Sequence, residues 1–544
     1  MLFRSSARYG QMNGVQALRR VQGTHRWTVT FEDLGAADVL LLVGTNITET
    51  NPITGLAVKE AVKKRQATLV TIESLQPALG TISNIANLSQ HHFCVSPTLF
   101  RTAILGLQKA VVEQNLVAAE LTQQRSGFVT AVTAQLQQLS WQDIQTATGA
   151  GRDTYAAAAQ ALAKGRRLVV VTGQGLLRSD QGYAGAMNLL DLLLLLGKLD
   201  QPGCGLAPLA EENNDQGAIE MGAVTEFLPG SVELTDKSGR DRVLDLWKEA
   251  PPATEGLTLV EMLERANSGR LKAMFIVGEN PLASLPAPLH VRESLEKLDL
   301  LVCQELFLTD TAALADVVLP VCSSLEKDGT FTNTEGHVQA VRQTVEPAGE
   351  ARPDWEVFSA LSGLLGTPLD YSESREILKE IRSLIPGYGS LGPAPLPAKA
   401  DRASIDRYLS GGFERDLVTR YQMPRIPSRP DGTVQIELVQ SLFHSGKLST
   451  KSKGLIQIEG RSSLRISPRD AVRFALVDGN RVRLSNSQGE VTAEVKVADR
   501  VPDGHAWFPD HFSQEVNRLF ACVIDPETKV PYIRTTSVSM VKVS

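Results

Sequence analysis

Three short, polar, glycine-bearing stretches hold the residues whose types and spacing could do chemistry. Gly44-Thr45-Asn46-Ile47-Thr48-Glu49-Thr50-Asn51-Pro52 follows an apolar run. Gly278-Glu279-Asn280-Pro281 follows another and repeats its strand–Gly–x–Asn order. The third stretch, Glu326-Lys327-Asp328-Gly329-Thr330-Phe331-Thr332-Asn333, reads as a loop and comes after Gln304-Glu305 and Thr309-Asp310-Thr311. These stretches offer backbone N–H groups, hydroxyls and amides. In the first, Gly, Thr and Asn precede a helix, an arrangement that can cradle an anion. An ordinary βα turn has the same composition, so that loop taken alone fits either reading. Its repetition suggests two similar α/β domains gripping one long ligand.

Metal chemistry has less support. The five cysteines (Cys94, Cys204, Cys303, Cys322 and Cys522) are scattered, and no two stand at CxxC spacing. A self-contained iron–sulfur cluster needs about four thiolates, usually closely spaced, so none is expected in this chain. Cys303 and Cys322 lie in apolar runs and read as core residues. An odd cysteine count in a large chain fits a reducing compartment rather than a disulfide scaffold. His91-His92 before Cys94 lacks a fourth ligand nearby and reads as a surface strand end. His505 and His511 flank Trp507 and Phe508 and read as packing or hydrogen-bonding residues, and His337 lies just past the third stretch.

The elements that must position these loops are legible from periodicity. Ala37–Val43 is nearly continuous, apolar and short, as a buried parallel strand should be. A helix is expected over about Ile53–Arg65 and a second strand over Ala67–Ile72. Residues 99–165 look mostly helical, with Thr154–Lys164 a helix ending at Gly165. Leu168–Val171 is a strand, about Ala184–Leu196 a helix, and Glu211–Ala218 a polar surface loop. Ala273–Val277, Leu298–Cys303 and Val317–Leu319 supply further short apolar runs, and Thr309 to Thr311 can cap the turn at Ala312–Leu314. The Pro- and Gly-rich passage at 386–433 is the clearest linker signal. Beyond it come short alternating strands, Arg481–Leu484, Glu490–Val497 and Ala506–Phe508, with a short helix at about Pro468–Ala475.

With 544 residues, 42% apolar and 21% charged, the chain has the composition of ordinary globular protein and roughly three to four domains' length. The boundaries expected are 1–212, 213–432 and 433–544. A net charge of −6 disfavours a nucleic-acid partner. One basic patch, Lys447–Arg473, carries seven cations against Glu459 and Asp470. A solvated face is the plain reading; a phosphate site or an acidic protein neighbour are the sharper ones. No run reaches the roughly 18 apolar residues of a membrane helix, and MLFRSSARYGQ does not read as a signal peptide. A cytoplasmic location is expected, with docking on a membrane complex open.

GTNITETNP, GENP, the run TDTAALADVVLPVCSSLEKDGTFTNTEG, and SPRDA…DGNRVRLSNSQGEV resemble the molybdopterin oxidoreductase superfamily. FHSGKLSTKS and VIDPETKVPYIR resemble its C-terminal domain. The resemblance spans almost the whole chain in order. Within the superfamily the chain is most similar to the large iron–sulfur subunit of NADH:quinone oxidoreductase (respiratory complex I) without its N-terminal iron–sulfur domains, and it also resembles formate dehydrogenase large chains. The resemblance implies an α/β fold, with two Rossmann-like parallel-sheet domains and a C-terminal double-psi β-barrel. It implies a bis(molybdopterin guanine dinucleotide) cofactor. By position, Gly44, Asn46, Glu49 and Pro52 would form one nucleotide-side loop and Gly278, Glu279, Asn280 and Pro281 the second. Gln304, Thr311, Glu326, Gly329 and Asn333 would line the cleft.

The departures point away from catalysis. Formate dehydrogenases place a metal-binding Cys or selenocysteine, then His, after an Ala-Arg pair. Here Ala7-Arg8-Tyr9 is followed by Gly10 and Gln11. Glycine has no ligand atom, and glutamine cannot accept a proton near neutral pH as imidazole does. The position of the catalytic Arg before Asn213-Asn214-Asp215-Gln216-Gly217 is Ala210. The cluster domain and the first half of one split α/β domain have no counterpart here, which should leave apolar sheet edges open and call for a partner. The expected function is a peripheral-arm subunit of an NADH:quinone oxidoreductase, beside an iron–sulfur protein, with a vestigial or empty cofactor cleft. The alternative is a catalytic Mo/W oxidoreductase subunit whose cluster domain lies on another chain. A nucleotide-binding α/β protein without redox role is the third reading.

Overall fold

The computed structural model describes residues 7–74, 85–210, 212–286, 290–385, 388, 400–424, 430–460, 463–512, 514 and 516–543. Five parallel strands form the first sheet: β1 (Val39–Val43), β2 (Thr68–Glu73), β3 (His91–Cys94), β4 (Leu168–Thr172) and β5 (Gly205–Pro208), in the order β3-β2-β1-β4-β5. All five residues of β1 are buried. Their side chains alternate between two cores. Val39, Leu41 and Val43 join one with helices Met12–Gln22, Phe100–Glu113 and Gly182–Leu195. Leu40 and Leu42 join the other with Leu34, Val58 and Ala61. A parallel sheet covered on both faces has no solvent side, hence the unbroken apolar run.

A second parallel sheet has three strands: β6 (Ala273–Val277), β7 (Leu300–Glu305) and β8 (Val317–Pro320), in the order β8-β7-β6. It is covered far less. Val317 is 43% and Leu300 also 43% exposed, and helix Asp354–Leu364 buries no residue. A parallel sheet in this state lacks the covering its geometry calls for. Next to it, β9 (Gly329–Thr332) and β10 (Val338–Val341) form an antiparallel hairpin. The second half of the expected Glu326–Asn333 loop is therefore strand, because Thr330-Phe331-Thr332 finds Gln339 and Ala340 as ladder partners.

The C-terminal strands are β11 (Thr433–Val439), β12 (Ser463–Ile466), β13 (Arg481–Ser485), β14 (Glu490–Val497), β15 (His505–Pro509) and β16 (Thr536–Lys542). They close into a barrel, β11-β15-β12-β14-β13-β16. The strict alternation of β14 puts Val491, Ala493 and Val495 inside.

The chain divides into two compact units, residues 1–8 with 212–395, and residues 9–211 with 396–544. Two expectations change. Residues 386–387, 389–399 and 425–429 of the expected linker lie outside the described residues. Its middle folds as helical segments between Arg402 and Tyr421, whose Tyr408, Phe413, Leu417 and Tyr421 join the first core. Arg420 pairs there with Asp191, which also accepts from Tyr408 Oη (2.7 Å) and Tyr421 Oη (3.0 Å). The expected surface loop at 211–218 runs into helix Asp215–Glu220, with Asp215, Gln216, Gly217 and Glu220 buried. Gln216 donates to Glu220, and so does Tyr388 Oη (both 2.8 Å), which lets polar residues be buried with partners.

Candidate functional site

From β1 the chain steps to β2 and β3, then returns to the other side of β1 as β4. This reversal opens the sheet's carboxyl end between β1 and β4, where open α/β sheets bind ligands. The loops meeting there carry Gly44-Thr45-Asn46 and Gly173-Gln174-Gly175. They touch backbone to backbone: Gly175 N donates to Gly44 O at 2.9 Å, and Gly173 N to Val43 O at 3.0 Å. Gly44 sits at φ +60°, and a Cβ on it would stand 2.6 Å from Leu176 N. Only glycine suits that site. The helical turn beside this loop, Ile47–Thr50, has four residues, and the long helix Pro52–Arg65 starts with Pro52 at its first position.

A cavity of about 230 Å³ lies at this point, lined by the β1 and β4 loops, Glu73 and residues of the barrel, all within one unit. Glu73, the last residue of β2, is 3% exposed and accepts from Thr45 N at 2.7 Å. Burial pushes its carboxyl up to about 8, against that hydrogen bond. Asn46 Nδ2 donates to Glu49 Oε2 (2.8 Å), and Arg500, from the turn after β14, donates to Glu49 Oε1 (2.5 Å). Arg465 of β12 also faces the cavity and pairs with Glu459. His505 Nδ1 lies 2.9 Å from Glu437 Oε1. Four side-chain atoms of residues that line the cavity are sealed from solvent without a hydrogen-bond partner: Thr45 Oγ1, Asn46 Oδ1, Gln174 Oε1 and Trp507 Nε1. Orphaned groups of this kind are costly unless something binds them. Cys94 is no nucleophile, since burial and the neighbouring Glu73 push its thiol up to about 11.

The loop of the second sheet is also assembled, in the other unit. Gly278, at φ +60°, donates its N–H to Gln304 O at 2.9 Å. Asn280 Oδ1 accepts from Thr311 Oγ1 at 2.7 Å, and Glu279 Oε1 accepts from Ser284 Oγ at 2.7 Å. Pro281 opens the turn Pro281–Ser284. Gln304 Nε2 donates to Asp354 Oδ1 (2.8 Å), a carboxylate that Lys327 also engages, while Gln304 Oε1 is buried without a partner. Glu326 and Asn333 are occupied with local structure. Glu326 accepts from Ser323 N (2.7 Å) and Ala348 N (2.9 Å), which hold its carboxyl below the usual range. Asn333 Oδ1 accepts from Glu335 N and His337 N to close the hairpin. Gly329 begins β9.

Several lining residues had no distinguishing mark in the sequence. Gln174, Glu437, Arg500 and Trp507 reach the cavity only through folding. Glu73 had a signal, an acid ending an apolar strand run. Arg465 belongs to the basic patch, yet its side chain is only 13% exposed and paired, so that patch is not wholly a solvated face. Gly10, Gln11 and Ala210 are buried, and Arg8 is committed to Thr225 (2.9 Å) and Glu226. Among the described residues, no group of three or more His, Cys, Asp or Glu is placed to hold a metal ion, and Cys94, Cys204, Cys303 and Cys322 are in no disulfide. No helix of the described residues is long and apolar enough to cross a membrane.

A doubly wound sheet with a switch-point cavity, a second parallel sheet and a closed barrel define a multidomain α/β architecture. Acetylene hydratase from Pelobacter acetylenicus shares the fold, with a TM-score of 0.75 over 98% of this chain and 82% of that one, at 16% identity. Residues 5–364 match the molybdopterin oxidoreductase family and residues 439–537 the molydopterin dinucleotide binding domain. The chain belongs to the molybdopterin oxidoreductase family. It is 27% identical to F420-dependent formate dehydrogenase subunit alpha of Methanocaldococcus jannaschii, over 96% of this chain and 79% of that one. It is 29% identical to NADPH-Fe(3+) oxidoreductase subunit alpha of Geobacter sulfurreducens, over 95% and 58%. With a subunit of NADH-quinone oxidoreductase from Rhizobium meliloti it shares 31% identity over 88% and 53%. The chain thus spans little more than half the length of these last two relatives.

Proposed function

We propose that this chain is a peripheral subunit of a multi-subunit oxidoreductase of the NADH:quinone type. In this reading it keeps the pterin-enzyme fold and a nucleotide cavity but no longer performs formate-type chemistry at a metal. The residue types at three positions carry the reading: Gly10 and Gln11 follow Ala7-Arg8-Tyr9, and Ala210 precedes the Asn213–Gly217 segment. None of the three side chains can ligate a metal as a thiolate or act as a titratable acid or base near pH 7. Electrons would then pass through clusters of a neighbouring iron–sulfur protein, at the cytoplasmic face of the membrane. The thinly covered sheet β8-β7-β6 supports a requirement for a partner.

The switch-point cavity fits the nucleotide end of a molybdopterin guanine dinucleotide. Its lining residues include Trp507, Asn46 and Gln174, each with an unpartnered polar atom that a small side-chain shift would turn to a ligand, and Arg500, a cation for phosphate. A bound molybdenum or tungsten pterin supplies two-electron redox chemistry; these residues would hold and orient its nucleotide. The same orphaned atoms favour the second reading, a catalytic Mo/W subunit whose cluster domain lies elsewhere. One experiment separates the two: purify the chain with whatever accompanies it, and assay molybdenum, tungsten and released pterin. Metal at one equivalent per chain overturns the non-catalytic reading. No metal, together with co-purifying NADH dehydrogenase subunits, overturns the catalytic one.

A further inference from the structure

We infer that the Glu49–Arg500 ion pair is a latch on the switch-point cavity, which a phosphate-bearing ligand opens by drawing Arg500 away from Glu49. The inference rests on the nucleotide reading of that cavity. The two residues come from different substructures. Glu49 lies in the turn after β1, Arg500 in the barrel turn between β14 and β15, and both line the cavity. They meet at 2.5 Å with side chains only 8% and 23% exposed. The pair therefore bridges the sheet and the barrel beside the space a ligand would fill.

Three features distinguish it from a plain brace. First, Glu49 is the only hydrogen-bond partner of the Arg500 side chain among the described residues. A guanidinium presents five N–H donors in a fork that matches phosphate, so most of its capacity is unspent. Arg465, in contrast, is held by Glu459 on its own side of the cavity. Second, Glu49 is not stranded when Arg500 leaves, because its other oxygen stays bonded to Asn46 Nδ2 at 2.8 Å. A carboxylate this shielded, with no other partner, would oppose opening far more strongly. Third, Asn46 Oδ1, beside the same carboxylate, is buried and unpartnered. That acceptor is sealed while the pair is closed, so opening the pair is what would bring it within a ligand's reach.

Opening exchanges one anion for another around Arg500. Its energetic cost is the loss of one ion pair and the repulsion between Glu49 and the arriving phosphate. The pair is largely shielded from water, so this cost should lower phosphate affinity by about fivefold or more. Glu49 acts as a positioning residue: it parks Arg500 and sets the affinity threshold for phosphate.

Titration calorimetry with GDP and with guanosine, on the full chain with its co-purifying partners, tests the latch. Wild type is compared with Glu49→Gln, Arg500→Gln and Arg500→Lys. Glu49→Gln keeps the Asn46 contact and frees Arg500, so GDP should bind tighter by about fivefold or more. Arg500→Gln should weaken GDP by about tenfold or more, with Arg500→Lys between it and wild type. Guanosine, which has no phosphate, should bind all four proteins equally. Glu49→Gln binding GDP no tighter than wild type overturns the latch, as does a guanosine shift equal to the GDP shift. If wild type and all variants fail to bind either ligand, the nucleotide reading itself falls and takes the latch with it. Should Glu49→Gln fail to fold, the Arg500→Lys comparison decides: GDP affinity equal to wild type overturns the proposal.

Discussion

Replacing Glu73 by glutamine should flatten the pH dependence of stability around the cavity. Glu73 is buried and its carboxyl sits near 8 because burial penalises the charged form. In an unfolded chain a glutamate ionises near 4.3. The folded state therefore holds the proton that the unfolded state has released. This contribution to stability is fully present below about pH 4.3 and is lost as pH rises through about 8. Each unit of difference is worth about 1.4 kcal/mol, so wild type should lose about 2.5 kcal/mol between pH 5 and pH 7 from this group alone, and about 4 kcal/mol between pH 5 and pH 9. Glutamine has the same shape and still accepts from Thr45 N, so Glu73→Gln should show no such loss. A chain of two units need not unfold in one step. Local stability is better read from hydrogen exchange of peptides covering β1 and β2 at several pH values. Infrared difference spectra, wild type minus variant, should show a protonated carboxyl band near pH 6.5 that vanishes by about pH 9.5. Parallel exchange profiles for the two proteins, within about 0.5 kcal/mol, together with no such band, would refute the reasoning: the site would then be wet enough to ionise Glu73 normally.

Two further outcomes follow from burial and backbone geometry. Arg420→Met should destabilise the unit holding the first sheet by about 3–5 kcal/mol, because Asp191 would keep only tyrosine donors in a site fully closed to water; a shift below about 1 kcal/mol in the urea transition of that unit would sink this. Gly44→Ala combines a left-handed backbone with a Cβ 2.6 Å from Leu176 N. It should cost about 1–3 kcal/mol and weaken GDP binding. Unchanged melting and binding would contradict the close approach of the β1 and β4 loops.

Element positions were readable because burial imposes period. β1, β4, β6, β8 and β14 fall within two residues of where apolar runs and alternation place them. The same runs, with the GENP and EKDGTFTN stretches, resembled the molybdopterin oxidoreductase superfamily, to which the chain belongs. Residues 326–333 were legible as polar but not as half strand, since a hairpin ladder depends on the partner Val338–Val341 as much as on the segment itself. The helical middle of the Pro- and Gly-rich passage was hidden for a similar reason. Tyr408, Phe413, Leu417 and Tyr421 are too sparse to announce a helix, and they are helical because the first core receives them.

The cavity divides in the same way. The sequence by itself determined its glycine- and amide-bearing loop, because Gly44 and Asn46 must follow a buried strand in a fixed local geometry. Only the tertiary structure decided the rest. Glu73 becomes a neutral acid through burial, a property of its surroundings and not of its neighbours in the chain. Arg500, 451 residues from Glu49, becomes its partner only because the barrel closes against the first sheet. Local spacing encodes turns and caps, whereas desolvation and long-range charge pairing exist only once the chain has brought distant residues together.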